Sequence, residues 1–338
     1  MKTLSIVVPC YNSADYVRRC LDSLVMGGAD VEILVINDGS TDHTGLIAEE
    51  YQARFPGMVR AIHKPNGGHG SAINTGIDEA IGRHIKIVDS DDWVDAEAYS
   101  AVLRALKGFA STGTEIDALL SNFVYEKAGR RTGHVVRYRG ALPRGRVFGW
   151  HEVGRFRPTQ YILMHSLIYR SELLRECGLR LPEHTFYVDN LYAFVPLPHV
   201  KTLFYLDVDF YRYFIGRDDQ SVNENVMMRR LDQQIKVNQL MQEHLPAIGG
   251  VPLQLNSYLL HYFSIICGVT SMMLIRSGTP ESFAARDAFW SSLRTEQPRL
   301  HRRMRRRPVA QITNLPGRAG RGVSVFAYLL MRRVVGFN

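Results

Sequence analysis

Four short apolar runs, Leu4 to Val8, Val31 to Ile36, Val59 to Ile62 and Ile85 to Val88, alternate with segments of helical period in the first part of the chain. That alternation is what an α/β sheet domain requires, because each intervening helix carries the chain back to start the next strand beside the last. Val17, Cys20, Leu21 and Leu24 recur at three-to-four spacing behind Asn12 or Ser13 as cap, and Gly27-Gly28 ends that helix. Leu46, Ile47 and Ala48 lead a second helix towards Tyr51, and Ala72, Ile73, Gly76, Ile77 and Ala80 give a third its apolar face. Each strand delivers polar residues at its carboxyl end, where open parallel sheets bind ligands.

Past Tyr99 to Leu106, read as a helix, the pattern loosens. Ile116 to Val124, Gln160 to Tyr169 and Val200 to Tyr213 are expected as strands, and the basic stretch Lys127 to Arg146 as a hairpin or a loop. From Asn225 onward the pattern is mainly helical. Three parts follow: 1–100, 101–225 and a helical, basic region 226–338.

With 338 residues, 46% of them apolar, the chain can bury a sizeable core. Its four cysteines, Cys10, Cys20, Cys177 and Cys267, form no CxxC pair and sit among apolar neighbours, which reads as buried thiols of a reducing compartment. The opening apolar run is short and broken by Pro9, which argues for a first strand and a cytoplasmic location rather than a secretory signal. Tyr258 to Ile275 touches the lower length limit for a membrane span; a packed core helix is the leading reading, ahead of an interfacial helix and a span.

The formal charge of +8 is concentrated in Arg299 to Arg307. Nucleic acid, anionic lipid and an acidic partner protein all answer such a patch. The run holds no recognisable reading module, so non-specific attraction is the most it supports for nucleic acid. Peripheral attachment to an anionic bilayer, aided by Val323 to Leu330 and Arg332-Arg333, is the favoured role, against a solvated face or an oligomer contact.

Asp89-Ser90-Asp91-Asp92 follows the fourth strand directly. A turn beginning at Ser90 brings Asp89 and Asp91 towards one ligand, and carboxylates this close repel unless a cation or hydrogen bonds relieve them. Mg²⁺ or Mn²⁺ shared with a diphosphate is one solution; a solvated acidic turn is the other. Asp38 closes the second strand and can accept from a base or ribose, or simply form the turn with Gly39. Pro9 and Tyr11 can present a flat loop to the same ligand. Asn66-Gly67-Gly68-His69-Gly70-Ser71 lacks the lysine of a P-loop and the placement of a dinucleotide turn, so it reads as a loop that approaches a ligand closely, with a helix amino terminus behind it. His69 either contacts phosphate or caps that helix. Asp189 lies among large apolar residues, where partial burial raises a carboxyl pKa towards that of a useful general base. Arg217 is a candidate diphosphate clamp with Gln220 beside it, or a surface ion-pairing residue.

Together, Val8-Pro9-Cys10-Tyr11-Asn12, Glu32 to Asp42, Asn66 to Gly76 and Val88-Asp89-Ser90-Asp91-Asp92-Trp93 resemble the family 2 glycosyltransferases of the GT-A fold, especially the capsule and exopolysaccharide enzymes. The resemblance implies a mostly parallel sheet flanked by helices, with residues 1–100 binding a nucleotide sugar and 101–225 completing the catalytic, acceptor-side part. It implies that Asp38 binds the base, usually uracil. It also implies that Asp89 approaches the ribose or metal region and that Asp91 ligates Mn²⁺ or Mg²⁺. Pro9, Tyr11, Asn12, Asn66, Gly67, His69, Gly70, Ser90, Arg217 and Gln220 complete the expected donor site. Asn37 stands where the family commonly has Asp, and Tyr187-Val188-Asp189-Asn190 lacks the usual glutamate before the aspartate expected as base. No Gln-x-x-Arg-Trp element follows, which implies that one hexose passes per encounter, with inversion, to a glycan or lipid-linked acceptor. A nucleotidyltransferase and a basic nucleic-acid-binding protein are the alternatives; oligomeric state is not legible.

Overall fold

The computed structural model describes residues 2–127, 133–215, 223–246 and 250–335, which fall into two compact units: 1–156 with 162–215, and 157–161 with 216–338.

The first unit is built on β1 (Leu4–Cys10), β2 (Val31–Asp38), β3 (Val59–Lys64) and β4 (His84–Ile87), with α1 (Val17–Leu24), α2 (Thr44–Arg54) and α3 (His69–Glu79) between them. β1 pairs in parallel with both β2 and β4, and β2 with β3. Every residue of β1 and β2 is buried, as strands covered on both faces require. Leu4, Ile6 and Val8 meet α1 and α2 on one face, while α3 lies on the other. Gly76 permits that approach: a Cβ there would stand 2.2 Å from Val7 Cγ1. Ser13 starts α1 through its backbone carbonyl, which accepts from Tyr16 and Val17; the side-chain cap expected from sequence is not the device used.

The sheet continues through β5 (Trp93–Val94), α4 (Ala96–Thr112), β6 (Ala118–Lys127), β7 (His134–Val136) and β8 (Val147–Phe148), then β9 (Leu167–Arg170), α5 (Ser171–Glu176), α6 (Asp189–Phe194) and β10 (Leu203–Ile215). Its order is β3-β2-β1-β4-β9-β6-β10-β5, with β7 on β6 and β8 on β10. β9 runs antiparallel to β4 and β6, and β10 parallel to β6, so the sheet is mixed. The strand expected over 160–169 is shorter: Met164–Ser166 form a 3₁₀ turn and only Leu167 to Arg170 pair. The cause is Lys86, fully buried in β4, whose Nζ donates to the carbonyls of Met164, His165 and Leu167 and so bends that backbone around one ammonium. The four cysteines are free thiols.

The second unit is helical: α7 (Glu224–Met228), α8 (Leu231–Glu243), α9 (Leu253–Ser277), α10 (Pro280–Glu296), α11 (Pro298–Arg305), α12 (Pro308–Thr313) and α13 (Gly317–Val335). α9 is long and apolar enough to cross a membrane, with a mean hydropathy of 1.6, yet 83% of that window is buried. Its polar residues are matched to neighbours: Thr270 accepts from Asn238 at 2.6 Å and Ser271 from the Trp290 indole at 3.0 Å. A helix whose polar groups are satisfied by surrounding helices is the core of its unit.

Candidate active site

β1, β2 and β4 end side by side, and the loops that leave them are tied together. Asn12, at φ +48°, accepts from Thr41 N at 2.8 Å, and its own N–H donates to Ser40 Oγ at 3.1 Å. Pro9 is buried in β1 and Tyr11 is exposed just beyond the strand. Asn37 engages the His63 ring, Nδ2 to Nδ1 at 2.9 Å.

Asp38, the last residue of β2, is buried and organises the glycine loop. Oδ1 accepts from Lys64 Nζ at 2.6 Å and Gly67 N at 3.0 Å, and Oδ2 from Gly68 N at 2.7 Å. Two acceptor sites per oxygen leave Oδ2 one lone pair in hand. Asn66 Nδ2 adds a bond to the Asp38 carbonyl. On its other side the loop meets residues 181–184: His184 N donates to Gly67 O at 2.7 Å, and a Cβ on Gly68, which has φ +84°, would lie 3.0 Å from that nitrogen. Gly70 is equally confined, with Pro182 O 2.7 Å from where its Cβ would stand. These glycines let two backbones touch, and they place the amino terminus of α3 at the sheet's carboxyl edge.

Asp89 lies at the centre. His69 Nε2 and Asp89 Oδ1 are 2.8 Å apart, and His165 Nε2 stands 3.8 Å from Oδ2. Burial alone would raise Asp89, but the charge and hydrogen bond of His69 hold it below the usual carboxylate range. Burial opposes protonation of His69, and Asp89 outweighs it, so His69 is raised. His165 is deeply buried and pushed down to about 4, hence neutral.

Asp92 has no solvent exposure and each oxygen already takes a donor: Tyr211 Oη at 2.5 Å and Phe214 N at 2.7 Å. Burial first, then Asp91 and Asp89, raise it well above the ordinary carboxylate range. Asp89, Asp92 and His165 offer one ligand atom each within 4.8 Å of one another, a candidate divalent-cation cluster. Ser90 and Asp91 occupy the half-buried outer part of the same turn.

Asp189 opens α6. Burial, reinforced by Asp89 and opposed by His69, raises it to about 6. Two residues earlier Tyr187 has φ +66°, a conformation costly for a bulky side chain, and its carbonyl accepts from Asn190 Nδ2 at 3.1 Å. Asp189, His69 and Asp89 act on one another electrostatically, so the structure gathers a residue from the helical 189–194 segment to the strand ends. Arg217 and Gln220 lie outside the described residues.

Two members of this assembly were not picked out from sequence. Lys86 had one signal, a charged residue inside Ile85-Lys86-Ile87-Val88; His165 had none, lying in a segment that reads as a strand.

Residues 5–146 match the glycosyl transferase family 2 model. The chain is 30% identical over 266 residues to the uncharacterized glycosyltransferase EpsJ of Bacillus subtilis, covering 76% of this chain and 74% of that protein. The putative glycosyltransferase EpsH of the same organism is 31% identical over 217 residues, 59% of this chain and 60% of its own. Among solved structures, S. aureus TarS 1-349 superposes with a TM-score of 0.59 at 20% identity, covering 98% of this chain and 92% of that one. The mannosyltransferase PcManGT of Pyrobaculum calidifontis, solved with GDP-Man and Mn²⁺, gives 0.54 at 16% identity over 96% of this chain and 86% of its own. The resemblance drawn from the strand-end motifs and these matches agree: the chain belongs to glycosyl transferase family 2, and it is a glycosyltransferase with a GT-A-type fold.

Proposed function

We propose that the enzyme transfers one hexose from a nucleoside diphosphate sugar, UDP-linked, to a hydroxyl of a glycan or lipid-linked acceptor, with inversion and the help of Mn²⁺ or Mg²⁺. One observation carries the reading: Asp189, a carboxylate raised to about 6, acts electrostatically on Asp89 of the acidic turn, two residues from the half-buried Asp91, at the same sheet edge. A proton acceptor for the incoming hydroxyl and a counter-charge for the leaving diphosphate are the two things such a transfer needs.

The remaining lone pair of Asp38 Oδ2 suits the imide N–H of uracil, within reach of the loops holding Pro9, Tyr11 and Asn12. The amino terminus of α3 and the His69 ring, held by Asp89 and raised by it, suit the diphosphate, with Asn66, Gly67 and Gly70 keeping the backbone close. Arg217 and Gln220 are proposed to clamp it. Asp89 and Asp91, on the outer part of the turn with Ser90, would hold the metal; Asp92, with both oxygens engaged by β10, would brace the turn from behind, and the neutral His165 would back Asp89. When bound, the ion neutralises charge on the departing nucleoside diphosphate. In the transfer the acceptor oxygen bonds to the anomeric carbon as the bond to the diphosphate oxygen breaks, and Asp189 takes the hydroxyl proton. A donor panel assayed for nucleoside diphosphate release, with and without Mn²⁺, tests this; release from no donor overturns it. Product anomeric configuration, read by NMR, tests the inversion.

We also place the enzyme at an anionic bilayer's cytoplasmic face. α11 carries Arg302, Arg303 and Arg305 in its last turn. α13 turns Ser324 and Tyr328 inward, onto Ile312 O and Glu224, and leaves Val323, Phe326 and Leu330 more than half exposed on the opposite face. An exposed apolar stripe on one helix, in a unit that also carries this arginine cluster, has the pattern of an interfacial element.

A further inference from the structure

We propose that Asn190 is a positioning residue for Asp189: its carboxamide ties the carboxylate that takes the acceptor's proton to the turn before α6, and so fixes the direction in which that carboxylate faces. The inference rests on the transfer reading above. Asn190 directly follows Asp189 and is buried. Its Nδ2 donates to the Tyr187 carbonyl at 3.1 Å and to Asp189 Oδ1 at 3.3 Å, and its backbone N–H donates to the same carbonyl at 3.2 Å. An amide nitrogen carries two hydrogens, so one group makes both side-chain bonds at once.

Closing the turn requires only a donor to the Tyr187 carbonyl, which the Asn190 backbone already supplies. The bond to Asp189 Oδ1 is additional, and it has a use. The last torsion of an aspartate is broad and roughly two-fold, so nothing intrinsic to the side chain decides where its oxygens point. A donor held on one oxygen decides it and orients the other. That donor is itself anchored, because Tyr187, at φ +66°, keeps a conformation that a bulky residue adopts only where its surroundings impose it, and its carbonyl holds the Asn190 amide. His69 and Asp89 act on Asp189 in opposite senses, so an unrestrained carboxylate would take its direction from them rather than from the acceptor. Direction matters here: a proton acceptor works within roughly 2.6–3.2 Å of its donor atom, and a misplacement of about 1 Å costs about a hundredfold in rate.

Steady-state release of nucleoside diphosphate, measured well below each variant's melting temperature, tests the assignment together with UDP affinity by calorimetry. Asn190→Ala is expected to lower kcat about 10–100-fold while donor KM and UDP affinity stay within about twofold. The same change is then added to Asp189→Asn and to Asp189→Glu, which keeps a carboxylate but displaces it. In both backgrounds the residual rate should move by less than about twofold, because a residue acting through Asp189 has nothing left to orient. A merely structural role gives the same fold loss in every background, and that result overturns the proposal. An unchanged kcat in Asn190→Ala, or a loss carried by donor KM, overturns it as well. A full-rate Asp189→Asn enzyme, or no release from any donor by the unmodified enzyme, sinks the transfer reading itself, whereas an impaired Asp189→Asn beside an unimpaired Asn190→Ala sinks only the positioning.

Discussion

Lys86 Nζ donates to the His165 carbonyl at 2.5 Å, behind the residue whose Nε2 stands 3.8 Å from Asp89 Oδ2. A strand residue of β4 therefore supports, from within the core, the turn that lines the acidic cluster laid down by the same strand. Replacing Lys86 with Met strips one donor from three buried carbonyls, each worth about 1–3 kcal/mol when left unsatisfied, and removes the cost of burying an ammonium. We expect a melting temperature lower by several degrees and about a tenfold rise in the Mn²⁺ concentration for half-maximal activity. An unchanged Mn²⁺ requirement in a folded Lys86→Met enzyme would show that the turn holds its shape unaided.

The proposed base, Asp189, would give activity a pH signature. Its pKa of about 6 leaves the proton-accepting form dominant above that pH and depleted below it. With Asp189 as base, kcat/KM falls about tenfold per pH unit below 6 and levels above it. Asp189→Asn should lower kcat about 10²–10⁴-fold and abolish this limb. The stability consequence has the opposite sense. A carboxyl raised on folding binds more protons in the native state, so its contribution is lost as pH rises through about 6. The Asn variant is therefore expected to melt no lower than the unmodified protein at pH 7.5. A full-rate Asp189→Asn enzyme would move the base elsewhere.

The residues legible from sequence are those whose partners are close in the chain or set by strand alternation. Ile85 to Val88 announces β4, and the polar residues after it could only fall at the sheet's carboxyl edge. Asp38 and the glycine loop are similarly visible, because β2, β3 and α3 follow in order. What stayed hidden is long-range. His165 reaches Asp89 from seventy-six residues away (165 − 89), and its conformation depends on Lys86 rather than on the intrinsic preference of Met164-His165-Ser166. β9 is shorter than its composition suggests for the same reason: backbone that buried Lys86 ties into a turn has the composition of a strand.

The acidic turn separates two roles. Asp92 is enclosed and bonded to Tyr211 and Phe214 of β10, whereas Asp91 is half-buried. With the ion on the outer pair, Asp91→Asn should raise the Mn²⁺ requirement about 10–100-fold with little change in melting temperature. Asp92→Asn cannot accept from both partners with one amide; it should cost about 1–3 kcal/mol and lower the melting temperature by several degrees. Titrating Mn²⁺ against activity and melting temperature in both variants decides the matter. The reverse pattern would assign the ion to Asp89, Asp92 and His165.

Phe326 is 69% exposed and Leu330 55%, on a helix whose opposite face is anchored through Ser324 and Tyr328. Taking two such side chains out of water is worth about 1.5–3 kcal/mol each, and each basic residue near an anionic surface adds about 1 kcal/mol. On the proposed membrane-facing side neither contribution alone would give stable attachment, whereas the two together would, and they predict different dependences. Co-sedimentation with phosphatidylglycerol-containing vesicles should exceed that with neutral phosphatidylcholine at least tenfold and weaken in high salt. Phe326→Ser with Leu330→Ser should reduce binding at least tenfold at every salt concentration, because the apolar contribution is not screened. Retention indifferent to anionic lipid, or a double variant that binds as before, would show that this face meets something other than a membrane. A concentration-dependent increase in mass, lost in the same variant, would identify that something as a second copy of the chain.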